Sequence, residues 1–436
     1  MSLFGAMNTA ISGLTAQSTA FGNISDNVAN SQTTGFKRTD TAFIDYLTSS
    51  SAAANNPGAV VARPDYMNTV QGTLAQTDNP LGLAIAGQGF FSVSEATSAS
   101  GGVTTFSPQG YFTRAGDFTM NKSGYLVNSA GDYLNGWNVN SSTGVVDRTA
   151  TAPIQVTQTV YNPVATSEVT LSANLPATPA ASTPVSPQVD VYDSLGTSHQ
   201  VTLDWTQTSA NNWSVSVNVP DDVNTAARGT ATVQFGATAS GNPVPDGTVG
   251  SVGGGTGSVT TGAYAAGTPA TLSFTADFGN GPQAITLNLG NYGQSDGVTQ
   301  YAGSTFTLRG INQNGVPPGS FSSVSTTQAG DIQVNYDNGQ SRTVARVPLV
   351  TFNNPDALQR QNGQAFTATQ ASGDPLSQDA GTNGAGKLVT NEIEQSNVDI
   401  ASEFSKLIVA QRAYSANTKM VTTADDMLQQ TLDMKR

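Results

Sequence analysis

The sequence predicts a mainly β protein with an α-helix at each end of the chain, the two helices meeting as a coiled coil. Three observations predict it. Apolar residues recur at spacings of three and four over residues 1–30 and again from Leu407 to Thr431. Between these segments, short runs alternate apolar and polar residues with period two. Turn-forming dipeptides and glycine-rich stretches separate the runs, the punctuation expected of sandwich or barrel strands.

In the first segment the seam runs Leu3, Met7, Ala10, Leu14, Gln17, Phe21, Ile24 and Val28, with only Gln17 breaking its apolar character. Gly5, Gly13 and Gly22 weaken it as a solitary helix, each by about 1 kcal/mol relative to alanine. ANSQTTGFKR at 29–38 ends the pattern with turn residues. LGLAIAGQGFFSV (81–93) reads as an apolar strand broken by glycines. GYFTRAGDFTMNKSGYLVNSAGDYLNGW (110–137) alternates aromatic and polar positions around NKSG and SAGD turns.

From about 160 to 320 the chain reads as all-β. Val189 and Val191 lead into a DSLGTS turn, and Val201, Leu203 and Trp205 return from it. Val215, Val217 and Val219 follow, with Leu272, Phe274, Ile285 and Leu287 further on. ATPAASTPVSP (177–187) and GSVGGGTGSVTTG (250–262) are expected as flexible connectors. A hairpin is expected over 331–352 with Asn338-Gly339 at its turn, then a loop rich in Gly, Ser, Gln and Asn over 360–390. Ser396 and Asp399, spaced as a capping box, open the last helix. Its seam is Leu407, Ala410, Tyr414, Asn417, Val421, Ala424, Leu428 and Thr431.

Composition excludes several functions. Only 11% of residues are charged, against about a quarter in ordinary soluble domains. Net charge is −13 with no basic stripe, which disfavours nucleic acid as a partner. There is no cysteine, hence no disulfide, thiolate metal site or cysteine nucleophile. The first basic residue is Lys37, so a cleavable secretory signal is not expected. Apolar runs such as Leu407–Ala410 fall far short of the ~18 residues of a membrane span, and no membrane insertion is expected.

Chemistry-bearing motifs are equally sparse. The single histidine, His199, lies beside a turn and has no triad context. Asp221-Asp222 and Asp425-Asp426 are adjacent pairs whose side chains point apart, so neither is a general acid/base dyad. No catalytic residue, metal ligand or cofactor is expected. The terminal seams carry the functional expectation instead. Both are narrow and are set off by polar, glycine-rich loops. Their burial falls short of the entropy of ordering the helices, which points to completion by neighbouring chains in a homopolymer. A secreted β-rich adhesin is the rival from another class, and a secreted hydrolase with convergent carboxylates is a third.

The quoted motifs resemble the bacterial flagellar rod and hook axial family. MSLFGAMNTAISGLTAQSTAFGNISDNVANSQTTGFKR is similar to the family's opening, whose signature is the run Ala29, Asn30, Thr33, Gly35, Phe36 and Lys37. LAIAGQGFF and YFTRAGDFTMNKSGYLVN resemble motifs shared by its rod and hook subunits. SNVDIASEFSKLIVAQRAYSANTKMVTTADDML is similar to its C-terminal helix. The likeness covers about 1–160 and 320–436. The large middle segment resembles the hook branch, since rod subunits are shorter; a distal rod subunit is the alternative within the family.

The resemblance implies a discontinuous, multi-domain chain. Residues 1–30 and 396–436 would form the coiled coil, and 31–70 and 370–395 connecting segments. Residues 71–158 and 320–369 would form an inner β domain, with 159–319 an inserted β-sandwich or barrel-like outer domain. It further implies a tubular polymer outside the cell, in the flagellum, that acts as a universal joint between rod and filament. Implied partners are other copies of the chain, the distal rod protein, the hook cap protein, the hook–filament junction protein and the flagellar type III export apparatus. Assembly is expected to rest on Leu3, Met7, Ala10, Leu14, Phe21, Ile24 and Val28 of the first seam, with Leu407, Ala410, Tyr414, Val421 and Leu428 of the last.

Overall fold

The computed structural model describes residues 3–50, 55–100, 103–140, 143–179 and 184–434. Two α-helices occur among them: α1 (Leu3–Ala29) and α2 (Ile400–Asp433). All other regular structure is β apart from two short 3-10 turns. The chain divides into two compact units. One contains 1–158, 322–335 and 341–436; the other contains 159–321 and 336–340.

In the first unit, α1 lies between α2 and a long antiparallel hairpin formed by β1 (Thr39–Ser50) and β2 (Asn55–Tyr66). This hairpin departs from the connecting segment expected over 31–70. Its local pattern is quiet because its described side chains are exposed or half-buried apart from Thr39, so no buried face marks it. Polar contacts dock it on the helix. Ser12 Oγ accepts from Val60 N–H at 3.0 Å, Thr9 Oγ1 donates to the Gly58 carbonyl at 3.1 Å, and Asn23 Nδ2 donates to Thr41 Oγ1 at 2.8 Å.

The second expected connector, 370–395, is also paired. Lys387–Thr390 runs antiparallel to Leu83–Ala86, and Glu392–Glu394 to Leu74–Gln76. These two-strand ties hold the early and late parts of the chain together. Phe90–Ser94 pairs with Tyr111–Thr113, Tyr133–Val139 and Leu349–Thr351 in the largest sheet. Phe90, Phe112, Phe352 and Phe366 meet edge-to-face beneath it at centroid distances of 4.9–6.0 Å.

The second unit is a β-sandwich. One sheet orders the strands 188–192, 198–209, 212–218, 227–235 and 249–253 side by side. The other is built from 168–176, 260–261, 269–277, 282–291, 298–301 and 307–313. Period-two alternation sends Val201, Leu203 and Trp205, with Trp213, Val215 and Val217, into one shared core with Leu272, Phe274, Ile285 and Leu287. The expected flexible stretch 250–262 is partly built into this sandwich: Val249–Gly253 is an edge strand, and Val252 and Val259 are buried. Glycine serves close approach there, since a Cβ on Gly250 would strike the Ala237 carbonyl. Of the stretch 177–187, residues 180–183 lie outside the described residues.

Candidate assembly site

The helix pair brings the two expected seams together. Ala10 and Ile24 of α1 and Ala410 and Ala424 of α2 are buried; Met7, Leu14, Phe21, Val28, Leu407, Val421 and Leu428 are half-buried. Tyr414 remains 43% exposed, with its ring edge-on to Phe21 at 6.2 Å. Gly13 faces Asn417 so closely that a Cβ would lie 2.9 Å from its Nδ2. The small residues therefore let the helices approach. The Leu3 side chain lies outside the described residues.

The seam is only one of the buried rows on α1. Ala16, Ala20, Ile24 and Asn27 are also buried. Because α1 is covered on two sides, its buried surface is broader than a heptad stripe. The capping box is corrected: α2 begins at Ile400, and Asp399 is its N-cap. Asp399 Oδ1 accepts from Ala401 N–H at 2.9 Å and Ser402 N–H at 3.4 Å, while its carbonyl accepts from Glu403 N–H at 3.0 Å. Ser396 Oγ accepts from Val398 N–H, at 3.4 Å.

The motif residues after α1 form the joint. Asn30 Nδ2 returns to the Asp26 carbonyl at 2.9 Å, and Thr33 Oγ1 lies 3.3 Å from Asn30 Oδ1, closing the turn; Ala29 is exposed. Gly35 has φ +68° and donates to the Glu394 carbonyl at 2.8 Å; a Cβ there would collide with the Ala115 backbone nitrogen. Phe36 is buried beneath the Arg360 guanidinium, 4.2 Å from its ring centre.

Lys37 is buried against Glu394, with Nζ 2.5 Å from Oε1 and 2.6 Å from the Val70 carbonyl. Arg114 reaches the other oxygen, Oε2, at 3.0 Å and donates to the carbonyls of Ile85 and Gly87. Gly72 N–H completes the Glu394 shell at 2.8 Å. One carboxylate thus holds two buried cations and ties together three distant chain segments. Burial lowers the Lys37 pKa to about 8; the nearby Arg114 charge also lowers it, against the opposing pull of Glu394. Burial also lowers the Arg114 pKa.

The sign of the resulting pH dependence follows directly. Between about pH 8 and the unfolded lysine value near 10.5, the unfolded chain binds more protons at Lys37 than the folded chain does. Stability from this group therefore rises with pH through that window, by up to about 3 kcal/mol. Urea unfolding of wild type and Lys37→Met across pH 7–10.5 should give a stability difference that drifts in favour of wild type as pH increases. A constant difference would refute this account of the joint.

A second polar joint sits where α1, α2 and β1 meet, and sequence reasoning missed it. Asn27 Nδ2 donates to the Thr39 carbonyl at 3.0 Å and to Glu403 Oε2 at 3.1 Å, while Oδ1 accepts from Thr39 N–H at 2.9 Å. Both Asn27 and Glu403 are fully buried. Lys406 bridges Glu403 and Asp40; burial opposes the shift, but hydrogen bonds to these carboxylates raise its pKa. The available signal was spacing: Glu403 falls on the α2 seam four residues before Leu407, and Asn27 lies three after Ile24.

His199 and the Asp221-Asp222 pair have structural partners. His199 Nδ1 lies 3.0 Å from Asp221 Oδ2, and its ring stacks on Phe278 at 4.0 Å. Asp222 accepts from Asp277 N–H at 2.8 Å and pairs with Arg228 at 3.1 Å.

Comparison with known proteins places this arrangement. Four family models match in chain order: the flagella basal body rod protein over 7–37, the flagellar hook protein FlgE/F/G D1 domain over 84–174, the flagellar basal body protein FlaE D2 domain over 162–316, and the flagellar basal body rod FlgEFG protein C-terminal region over 390–434. Together they define a class, the flagellar rod and hook proteins. The flagellar hook protein FlgE of Brucella abortus is 32% identical over 447 aligned positions covering all of both chains. That of Salmonella typhimurium is 30% identical, covering 99% of this chain and all of its own. The chain belongs to the flagellar hook protein FlgE family, structural proteins of the flagellar hook and basal body.

Proposed function

We propose that the chain polymerises into a curved tube that acts as a universal joint, passing torque from rod to filament. The observation carrying this reading is the apolar surface left exposed on a paired helix. Phe404, Ile408, Val409, Met420 and Met427 of α2 are each at least half exposed, although α2 is already seated on α1. Five large apolar side chains left exposed along one helix give neighbouring copies a surface to cover. The seam expected from the sequence holds the pair together, and the outer faces are offered to neighbours.

The inner tube would be made of α1–α2 pairs, with the two joints fixing each pair to its β domain. The sandwich has a polar, weakly charged exterior, so contacts between outer domains can shift at low cost as the tube bends. In this reading the subunit leaves the cell through the flagellar type III apparatus without signal cleavage. It would meet the distal rod protein, the hook cap protein and the hook–filament junction protein at the tube's ends. Electron microscopy of the purified chain under polymerising conditions tests the central claim. Hollow tubes or helical fibres are expected, and dispersed particles would favour an adhesin-like module.

A further inference from the structure

Along α2, Arg412, Lys419, Asp426 and Asp433 recur every seven residues, and all four are exposed. They form one stripe opposite the seam that meets α1, with two cations followed by two anions. On one flank of the stripe stand Met420, Met427 and Met434, which are 60%, 52% and 82% exposed. On the other flank stand Phe404 and Ile408, 51% and 50% exposed. The methionine flank borders an open groove of about 390 Å³ between the helices and the hairpin. Met420, Asn417, Gly13, Phe43 and Val60 line it.

We propose that this surface binds a second copy of the chain, with the two α2 helices parallel and displaced by fourteen residues. The inference rests on the polymer reading and specifies its contact. At 1.5 Å per residue the displacement is about 21 Å. It brings Arg412 and Lys419 of one copy level with Asp426 and Asp433 of the next. The same displacement sets Met420 of the next copy level with position 406 of the first, between Phe404 and Ile408. The Phe404–Ile408 ridge then enters the groove beside that methionine.

One shift therefore satisfies two independent features, charge order and apolar relief. An antiparallel pair would also match the charges, Arg412 with Asp433 and Lys419 with Asp426. That contact is isologous, setting like flank against like flank, so it keeps ridge and groove apart and closes as a dimer. The parallel contact is heterologous and can continue without limit.

The test is charge exchange in the full chain, read by sedimentation of assembled tubes. Arg412→Glu with Lys419→Glu makes the stripe wholly acidic and should raise the assembly threshold concentration at least tenfold. Adding Asp426→Lys and Asp433→Lys reverses all four signs and should return the threshold to within about threefold of wild type. A normal threshold in the acidic variant, or no recovery in the exchanged one, overturns the contact. Absence of tubes in wild type defeats the polymer reading and this contact with it.

The native chain has no cysteine, so a second variant reads geometry. Assembled Ile408→Cys, Met420→Cys protein treated with a short bismaleimide should yield a covalent ladder beyond dimer. Products that stop at dimer, or no product, overturn the parallel register.

Discussion

Glu394→Ala is expected to destabilise the unit that holds the helices by about 3–5 kcal/mol, the cost of stranding a buried charge. The side chain of Glu394 is fully buried between Lys37 and Arg114, and it accepts the Gly72 N–H as well. Without it two cations share a buried site with no counter-charge. Lys37 can escape by losing its proton, since its pKa is already lowered to about 8. Arg114 has no such escape near neutral pH. Lys37→Met should cost far less, because the Arg114–Glu394 pair it leaves behind is neutral overall. Denaturant unfolding followed through Trp137, which lies in the same unit, would measure both. Equal losses in the two variants would show that the triad is not organised around the carboxylate.

That joint also shows which parts of the molecule were legible in the sequence. The sandwich strands were, because Val201, Leu203 and Trp205 alternate with polar neighbours and every buried side chain lies in one short run. The terminal helices were legible for the same reason, at a different period. Arg114 and Glu394 are 280 positions apart, and no local pattern announces that they share a site. Lys37 could be singled out only through the motif it resembles, which says nothing about its partners. The β1–β2 hairpin was missed because it meets α1 through Ser12, Thr9 and Asn23 rather than through an apolar face. On α1 the heptad template led to Val28, whereas the fully buried neighbour is Asn27. Asn27 stands with Ala16 and Ala20 on a second buried row of α1, about 100° around the helix from Val28, which a single heptad stripe does not describe.

Leu14→Asp or Leu407→Asp should abolish polymerisation and leave the β units folded. Both leucines are half-buried along the line where α1 meets α2, and a carboxylate there must be desolvated or push the helices apart. The pair has little reserve against this. Its contact includes Ala10, Gly13, Ala410 and Ala424, small side chains that gain closeness rather than buried area. The start of α2 should nevertheless hold. Asn397 is fixed by Arg38 N–H at 2.7 Å and by the Met67 and Val70 carbonyls, and Asp399 caps the helix. Loss of the seam should therefore fray the helices outward from the joints while the sheets remain intact. Hydrogen exchange would show loss of protection in α1 and α2 without loss in the strands around Trp205 and Trp213. Sedimentation and microscopy would show no tubes. Tubes formed by either variant would mean that the outer faces of α2 suffice for assembly and that the seam serves only the single chain.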